Sequence, residues 1–362
     1  IMPSLVGSEM CIRDRANLVY KSIKWICALF LCMGAIFVFS HKGMNSQSST
    51  NREDIRIANK KIKILSTIPM IGDLIERIGG EAIDHVTLIR GNIDPHNYEL
   101  VKGDVEKIQY ADIIFYNGLG LEHGVSLSYQ IQNHRKAIAL GNYLLDNYRD
   151  KIIISAGEID PHVWMDVNLW KNSVELVVTV LSDIDSANGQ YFANNGAKLL
   201  TELEQLDLEM LSLIQEIPEE RRFLVTSHDA FSYFARRYFA IANEADWSKR
   251  CEAPEGLAPD GQLSMGHIRD IVAHLSQYRI SVIFPESNVS PDSLKKVREA
   301  CLEKGIDVSI SKNSLYGDSV GEENGNANTY MKMMKRNAEI IHQSLWSKSV
   351  SYTHLTLPTS DL

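Results

Sequence analysis

Two copies of the tetrapeptide Ile-Asp-Pro-His carry the clearest chemical signal in this chain. They occupy positions 93–96 and 159–162, and each places a histidine directly after an Asp-Pro pair. Proline fixes its own φ and pushes the preceding residue out of the helical region, so each copy predicts a rigid turn that projects an imidazole. Imidazole nitrogen is a common ligand of transition metals. Two similar turns therefore indicate that His96 and His162 are ligands of one centre.

Two residues in the second half of the chain occupy equivalent positions. His228 comes directly after a predicted strand, and Asp318 lies in a Tyr-Gly-Asp-Ser turn after the last predicted strand. Three imidazoles and one carboxylate make a complete ligand set for a divalent transition metal. Nitrogen ligands favour zinc over manganese, whereas a bidentate Asp318 would favour manganese or iron, so the donor set leaves the metal open.

Four acidic residues lie beside these histidines in the sequence or are candidates to approach them. Asp229 and Glu286 are candidates to orient an imidazole, with a structural role in a turn as the equal alternative. Asp94 and Asp160 could do the same, but aspartate before proline is a common turn former, and the turn role is favoured for both.

Three other side chains receive non-ligand roles. His267 and His274 are seven residues apart on a predicted helix and are expected on its solvated face. Trp164 is expected to pack rather than to contact the metal.

The elements that must position the candidate ligands alternate between strand and helix. Strands are predicted at 61–65, 86–89, 113–116, 136–140, 223–227, 281–284 and 308–310. Helices are predicted at 68–78, 101–110, 168–184, 190–214, 263–278, 291–303 and 330–346. This alternation is typical of parallel sheets built of βαβ units, whose sites form where the strands end.

The helix at 190–214 separates the two series of strands and has an apolar stripe. The stripe alone does not distinguish a core-packed helix from a stiff connector. The predicted fold class is α/β: two lobes, each with a mainly parallel sheet flanked by helices, joined by one long connecting helix, with the metal site in the cleft. The predicted boundaries are 61–185 for the N-terminal lobe, 186–217 for the connecting helix and 218–346 for the C-terminal lobe.

The segments outside these lobes have other compositions. Residues 1–15 and 347–362 resemble translated sequencing-adapter read-through and are expected to be non-native. Residues 16–40 place lysines before about 15 apolar residues, which is typical of a secretory signal, with an uncleaved anchor as the alternative. Lipidation at Cys32 is disfavoured because Leu31 is not small. Residues 41–60 are polar and predict a tether.

Bulk composition restricts the partners. The 362 residues carry a formal net charge of −9 without a basic cluster, which argues against nucleic-acid binding. Cys251 and Cys301 are the cysteines outside the terminal segments, and export makes a disulfide and two free thiols equal alternatives.

Five motifs, taken in order, resemble the metal-binding proteins of bacterial manganese, zinc and iron ABC importers, the TroA-like and ZnuA-like family. They are Asp94-Pro-His-Asn-Tyr-Glu99, Asp160-Pro-His-Val-Trp-Met-Asp166, Thr226-Ser-His-Asp-Ala-Phe-Ser-Tyr-Phe234, Glu286-Ser-Asn-Val289 and Tyr316-Gly-Asp-Ser-Val-Gly321. The similarity extends from about Lys61 to Trp346. Any one motif is weak, but the ordered set is specific.

The resemblance implies an exported, monomeric solute-binding protein, in the periplasm or on the outer face of the cytoplasmic membrane. Such a protein would deliver manganese, zinc or iron to an ABC permease with its ATPase and would not be an enzyme. The family's ligand positions fall on His96, His162, His228 and Asp318. Manganese-binding relatives often carry glutamate at the third position, and many zinc-dedicated relatives carry a histidine-rich loop. This chain has neither.

A metal-dependent hydrolase using the same site is the alternative function. A catalytic zinc usually has three protein ligands and an open position for water, whereas four protein ligands leave no vacancy. The chain also lacks a His-Glu-x-x-His motif. A binding protein is therefore favoured.

Overall fold

The computed structural model describes residues 61–155, 157–242, 244–259 and 264–346. All of them belong to one unit, Lys60–Leu362. The predicted read-through, signal or anchor, and tether lie outside the described residues. Within the described ranges, no helix is both long enough and apolar enough to cross a membrane.

The first lobe is built on a four-stranded parallel sheet in the order β2-β1-β3-β4. The strands are β1 (Ile62–Ser66), β2 (Ile83–Thr87), β3 (Ile113–Tyr116) and β4 (Ala137–Ala139). β1 is central, with Ile64 opposite both His85 of β2 and Ile113 of β3. Because parallel strands share one direction, the loops after all four strands leave from the same edge of the sheet.

Helices and one short hairpin complete this lobe. They are α1 (Pro69–Gly79), α2 (Asp104–Tyr110), α3 (Val125–Asn133), α4 (Leu140–Asn147), the antiparallel pair β5 (Ile154–Ser155) and β6 (Glu158–Ile159), α5 (Val167–Trp170) and α6 (Ser173–Ile184). Helix α1 buries the apolar face predicted from its spacing, including Ile71, Leu74 and Ile78.

The long helix α7 spans Gly189–Gln215, 27 residues or about 40 Å. Its buried stripe includes Leu199, Leu203, Leu206 and Met210. The helix packs against α1 and α6 on the first-lobe side and against α11 (Tyr330–Trp346) near the chain end. It is therefore core-packed along its length and also connects the two lobes.

The second lobe repeats the strand–helix alternation with shorter strands. Its elements are β7 (Leu224–Val225), α8 (Ser232–Phe234) continuing as a π-helical turn to Phe239, β8 (Cys251–Glu252), α9 (Met265–Gln277), β9 (Val282–Ile283), α10 (Asp292–Glu303), β10 (Ser309–Ile310) and α11. β7 pairs with β8 and β9 with β10, both parallel. Phe284 N donates to Val225 O at 2.8 Å, which joins the two pairs. The predicted fold class is confirmed.

Two hydrophobic clusters fill the described part of the molecule. The larger covers the first lobe, the long helix, α11 and the part of the second lobe around β7, α8 and β8, and the smaller lies under α9 and α10. Cys251 belongs to the larger cluster and Cys301 to the smaller, and both are buried free thiols. The alternative of a disulfide is therefore wrong for this structure.

Several predicted elements differ from those observed. β2 begins and ends earlier than predicted, and the predicted helix at 168–184 is interrupted at 171–172. Helices α3 and α4 were not predicted, because their short sequences bury only two or three residues each and lack a long apolar period. The lobe boundaries stay a prediction.

Candidate metal centre

The first Asp-Pro-His turn lies in the loop after β2 and carries His96. Asp94 Oδ1 accepts a hydrogen bond from His96 N at 2.8 Å, which is the turn role predicted for this aspartate. Gly124 N donates to His96 O at 3.1 Å. His96 is only 2 % exposed. In the described ranges, nothing hydrogen-bonds to its Nδ1, and the ring packs 5.8 Å from the ring of His123 and 5.2 Å from that of His162.

The second turn follows the β5–β6 hairpin and carries His162. Asp160 Oδ1 again accepts a hydrogen bond from the histidine N, at 2.9 Å. It also lies 2.8 Å from His162 Nδ1. The preference for a turn role alone is therefore wrong for Asp160, which both closes the turn and orients the ring. A carboxylate at Nδ1 keeps the proton there and directs the Nε2 lone pair inward.

His228 follows β7 at the start of the second lobe. Glu286, in the loop after β9, accepts a hydrogen bond from His228 N at 2.9 Å through Oε1. Its Oε2 lies 2.9 Å from His228 Nδ1. Thr226 Oγ1 donates to His228 O at 2.8 Å. Glu286 thus lies beside the ring of His228, in the position that the orienting role, one of its two predicted alternatives, requires.

Asp318 lies in the loop between β10 and α11. Asn337 of α11 holds this loop by accepting a hydrogen bond from Tyr316 N at 2.9 Å and donating one to Tyr316 O at 2.8 Å. A Cβ at Gly317 would lie 2.4 Å from Glu286 Oε2. Only glycine therefore lets the loop approach the Glu286 carboxylate and bring Asp318 to the cluster.

The four predicted ligands converge in one buried cluster. His96 Nε2 lies 3.2 Å from His162 Nε2. Asp318 Oδ1 lies 3.3 Å from His162 Nε2. Asp318 Oδ2 lies 3.1 Å from His228 Nε2 and 3.8 Å from His96 Nε2. One ligand atom of each residue lies within 4.8 Å of all the others, so the group could hold a metal ion.

These separations fit a single ion. Zinc lies about 2.0–2.2 Å from nitrogen and oxygen ligands, so four ligands in a tetrahedron would be roughly 3.3–3.6 Å apart. The four separations given above run from 3.1 to 3.8 Å. Asp318 Oδ1 and both ring nitrogens of His228 are also buried without an aligned hydrogen bond among the described residues, although each lies within 3.3 Å of a carboxylate or imidazole atom. Burying such atoms costs free energy, which a cation between them would recover.

The electrostatics of the cluster favour positive charge at its centre. Burial lowers the pKa of His96 to about 3. Burial also opposes charge on His162, but Asp160 and Asp318 outweigh it and raise its pKa to about 9. Burial would raise the pKa of Asp318, yet His228 and His162 hold it well below its usual range. The carboxylates thus retain positive charge as protons on these imidazoles in the metal-free protein, and a bound cation would displace the Nε2 protons and take their place.

Asp229, the other acidic candidate, has different contacts. Its Oδ1 accepts a hydrogen bond from Ser232 Oγ at 2.8 Å, and its backbone N donates to Gly256 O at 3.0 Å. These contacts match the structural role weighed as its alternative, not the orientation of an imidazole. Asp229 was a candidate because it follows His228 in the sequence, but adjacency does not determine the direction of its carboxylate.

Trp164 packs beside the cluster and also connects the lobes. It is fully buried, and its ring centroid lies 5.3 Å from that of His162. Its Nε1 donates to Gly317 O at 3.0 Å, and Tyr330 OH donates to Trp164 O at 2.7 Å. The packing role is as predicted, but the hydrogen bond to the residue before Asp318 was not.

The two helical histidines outside the cluster differ from each other. His267 is exposed, as predicted. His274 is half-buried, with its ring 4.8 Å from that of Tyr278 and 6.2 Å from that of Phe223. Its predicted solvated position is wrong, because two aromatic rings cover it. Burial lowers the pKa of His274 to about 4.

Sequence reasoning missed the amide side chains that support the aspartate. Asn288 Nδ2 donates to Asp318 Oδ2 at 3.2 Å. Asn288 is part of the Glu286-Ser-Asn motif noted in the sequence, but the sequence alone assigned it no role. Asn337, which holds the Tyr316 backbone, gave no signal, because only the packing of α11 brings it to that loop.

Two α/β lobes that share one buried, cation-attracting cluster define a metal-binding protein of the solute-binding class. The chain belongs to the ZnuA family, zinc-uptake complex component A, periplasmic, whose model matches residues 64–344. The resemblance drawn from the five motifs is thereby confirmed.

Individual relatives cover most of the chain. Metal-binding protein YtgA of Chlamydia muridarum is 34 % identical over 328 residues, 90 % of this chain and 96 % of the relative. Manganese-binding lipoprotein MntA of Bacillus subtilis is 30 % identical over 292 residues, 80 % of this chain and 91 % of the relative. These relatives are named for a metal in general and for manganese.

Solved structures agree with the fold. The Fe(III)-bound YtgA of Chlamydia trachomatis superposes with a TM-score of 0.74 at 34 % identity, covering 79 % of this chain and 98 % of that one. The periplasmic zinc-binding protein TroA of Treponema pallidum superposes with a TM-score of 0.72 at 29 % identity, covering 79 % and 99 %. The part of the chain in common therefore has the fold of metal-binding solute-binding proteins.

Proposed function

We propose that this protein captures one transition metal ion outside the cytoplasm and delivers it to an ABC-type permease with its ATPase. The proposed ligands are His96, His162, His228 and Asp318. The observation that carries the proposal is their convergence, three imidazole Nε2 atoms and one carboxylate, in a cluster where each residue is at most 2 % exposed.

The orientation of the rings supports a metal rather than a purely structural cluster. Asp160 and Glu286 face the Nδ1 atoms of His162 and His228, so both rings direct Nε2 at the same point. Carboxylates in this position fix the tautomer of metal-binding histidines and raise their basicity. Histidines with only a structural role would not need their lone pairs directed at one another.

The cargo is zinc, manganese or iron. Relatives are named for each of these metals, as manganese-binding MntA, zinc-binding TroA and Fe(III)-bound YtgA. Three nitrogen donors make zinc the tightest binder of the three as divalent ions. Tight zinc binding in vitro would therefore not identify the transported metal, and uptake measurements must decide it.

The same geometry argues for binding rather than catalysis. The four ligands surround the centre, and the cluster is buried, so neither a metal-bound water nor a substrate has an open coordination position. The named relatives are metal-binding transport proteins and give no support to the hydrolase alternative. We therefore propose that the protein is not an enzyme.

The place of action follows from the family. The family model is described as periplasmic, and MntA is a lipoprotein. We place this protein in the periplasm or on the outer face of the cytoplasmic membrane, acting as a monomer that docks on the permease. The oligomeric state can be measured by light scattering with and without metal.

Elemental analysis of the purified protein tests the function directly. After loading and desalting, the parent should hold about one metal ion per chain, and Asp318→Asn should lose most of it because the only anionic ligand is gone. Asp207→Asn is the matched control. Asp207, on the long helix, is also a buried carboxylate, but it accepts hydrogen bonds from Arg237 and Tyr238 rather than facing the cluster. A parent that holds no metal would mean that the histidines are structural.

A further inference from the structure

The loop after β3, residues 117–124, supplies no proposed ligand but touches both histidine turns of the first lobe. Asn117 Nδ2 donates to Pro161 O at 2.9 Å, one residue before His162. At the other end of the loop, Gly124 N donates to His96 O at 3.1 Å. This loop therefore connects the end of β3 with both turns.

Glu122 lies in the middle of this loop with a buried carboxylate. Its Oε1 accepts hydrogen bonds from Thr67 Oγ1 at 2.7 Å and Asn117 N at 2.8 Å, and its Oε2 accepts one from Gly118 N at 3.0 Å. All three partners are donors, which match the acceptor-only form of a carboxylate. Thr67 follows β1 and Asn117 follows β3, so the carboxylate joins the ends of two paired strands.

The backbone of the loop includes one residue, Leu119, in an unfavourable conformation. Gly118, Leu119 and Gly120 all have positive φ, at 75°, 55° and 86°. A leucine in this region is uncommon, and such conformations persist only where the surroundings impose them, often at functional sites. Glu122 binds the N–H groups of Asn117 and Gly118 at the start of this stretch, and Asn142 Oδ1 accepts from Leu119 N at 3.0 Å, so the two side chains together hold the shape.

We propose that Glu122 is a positioning residue for the metal centre: by fixing Asn117 at the end of β3, it sets the turn that projects His162. Glu122 does not touch the ion itself. The inference rests on the proposed function, since it requires His162 to be a ligand. It assigns a purpose to a buried carboxylate that the ligand set leaves unused.

The alternative is that Glu122 only stabilises its own loop. That role would change the stability of the metal-free protein but leave the coordination geometry as it was. A positioning role must change the geometry at the ion, because moving Pro161 moves His162. A spectroscopic measurement on bound metal therefore separates the two roles.

The experiment compares Glu122→Gln with Asn117→Ala in the full chain. Glutamine keeps the shape of Glu122 but puts an N–H2 group where Oε2 now accepts from Gly118 N. Asn117→Ala removes the donor to Pro161 O without changing charge, so it excludes a simple loss of negative charge as the cause. Thr67→Val removes one donor to Glu122 and serves as a milder third variant if either of the others fails to fold.

Two readouts are made on each variant. Co²⁺ d–d absorption reports coordination geometry, and competition for Zn²⁺ with a chromophoric chelator reports affinity. We expect Glu122→Gln and Asn117→Ala to change the Co²⁺ spectrum in the same way and to weaken Zn²⁺ binding roughly 10- to 100-fold, as outer-shell changes do. Asp207→Asn, a buried carboxylate far from the loop in sequence, should change neither readout.

The outcomes separate this inference from the proposed function. A parent that binds neither Co²⁺ nor Zn²⁺ overturns the proposed function and the inference with it. A parent that binds both, with variants that keep its spectrum and its affinity within about twofold, overturns the inference alone. Lower thermal stability of the metal-free variants with unchanged spectra would likewise assign Glu122 to its loop only.

Discussion

The two Ile-Asp-Pro-His segments have identical sequences and nearly identical turns, yet they hold their imidazoles differently. In both, the aspartate accepts a hydrogen bond from the histidine N, at 2.8 Å for Asp94 and 2.9 Å for Asp160. Only Asp160 also reaches the ring, 2.8 Å from His162 Nδ1. Four residues of one sequence therefore make the same turn twice but orient the ring once.

The difference arises from what surrounds each turn. Residues 160–165 are buried. Asn117 donates to Pro161 O just before His162, and Trp164, just after it, donates to Gly317 O. The loop before His96 is exposed at 90–93, and no described residue hydrogen-bonds to the Nδ1 atom of His96. A metal ion would meet His162 oriented by a carboxylate, whereas the His96 ring is held only by packing against His123 and His162, so binding would supply the rest of its order. The cost of that order is taken from the binding free energy.

The largest expected effect comes from removing each histidine in turn. His162→Ala should weaken Zn²⁺ binding more than about 100-fold, beyond the range of outer-shell changes. His96→Ala should weaken Zn²⁺ binding by a factor at least about tenfold smaller than the factor for His162→Ala. Three oriented ligands remain in this variant, and water can take the fourth position from the exposed side. Competition titration against a chelator measures both.

Circular dichroism of the metal-free variants serves as the control for folding. Equal losses of affinity in His96→Ala and His162→Ala would contradict the comparison, because they would mean that the two rings contribute alike despite their different supports.

The second effect tests the aspartates with one substitution in two places. Asn can keep the turn, since its Oδ1 still accepts from the backbone, but it removes the charge at the ring. Asp160→Asn should weaken metal binding roughly 10- to 100-fold, and Asp94→Asn should change it by less than about threefold. Isothermal titration with Zn²⁺ under chelator competition measures this pair. If Asp94→Asn is the more damaging change, the assignment of roles is reversed.

These residues show which features of the site could be predicted from sequence alone. The turns were predictable because proline and the preceding aspartate act locally, and the four ligand candidates followed from turns and strand ends. The second role of Asp160 was not predictable, because it depends on a ring orientation that burial imposes. Asp229 shows the converse, since its place beside His228 in sequence did not bring its carboxylate to the ring.

The fold divides in a similar way. Long periodic segments such as α7 and α11 were predicted to within one residue, because their apolar stripes repeat over several turns. Helix α3 was missed because it buries only Leu127 and Ile131. His274 was assigned to solvent because helical spacing does not reveal which other elements pack against it. One of the rings that cover it, Phe223, comes from the segment just before β7.

Metal removal should change the two turns unequally. In the metal-free protein, amide hydrogen exchange across 90–97 should quicken by roughly tenfold, about 1.4 kcal/mol of lost protection, because the ion fixes His96 from the ring side. Exchange across 160–165 should change by less than about twofold, since its contacts are within the protein. Mass-spectrometric exchange at two metal levels measures both segments together. Equal changes would mean that both turns are ordered by the ion.

The smallest expected effect concerns the contact that connects the two lobes beside the cluster. Trp164→Phe keeps a ring next to His162 but removes the Nε1 hydrogen bond to Gly317 O, which should lower the unfolding free energy of the metal-free protein by about 1 kcal/mol. Trp170 is the matched control, because it is equally buried but its Nε1 has no partner in the described ranges, so Trp170→Phe removes no hydrogen bond.

Metal affinity is the decisive readout for Trp164→Phe. Because the bond lies entirely within the protein, it stabilises the His162 turn against the Asp318 loop whether or not metal is bound. Its loss should therefore lower affinity by less than about threefold while the stability falls. A large loss of affinity with unchanged stability would show that this bond forms only around the ion. The His162 turn would then depend on metal as the His96 turn does, and the contrast between the two tetrapeptides would disappear.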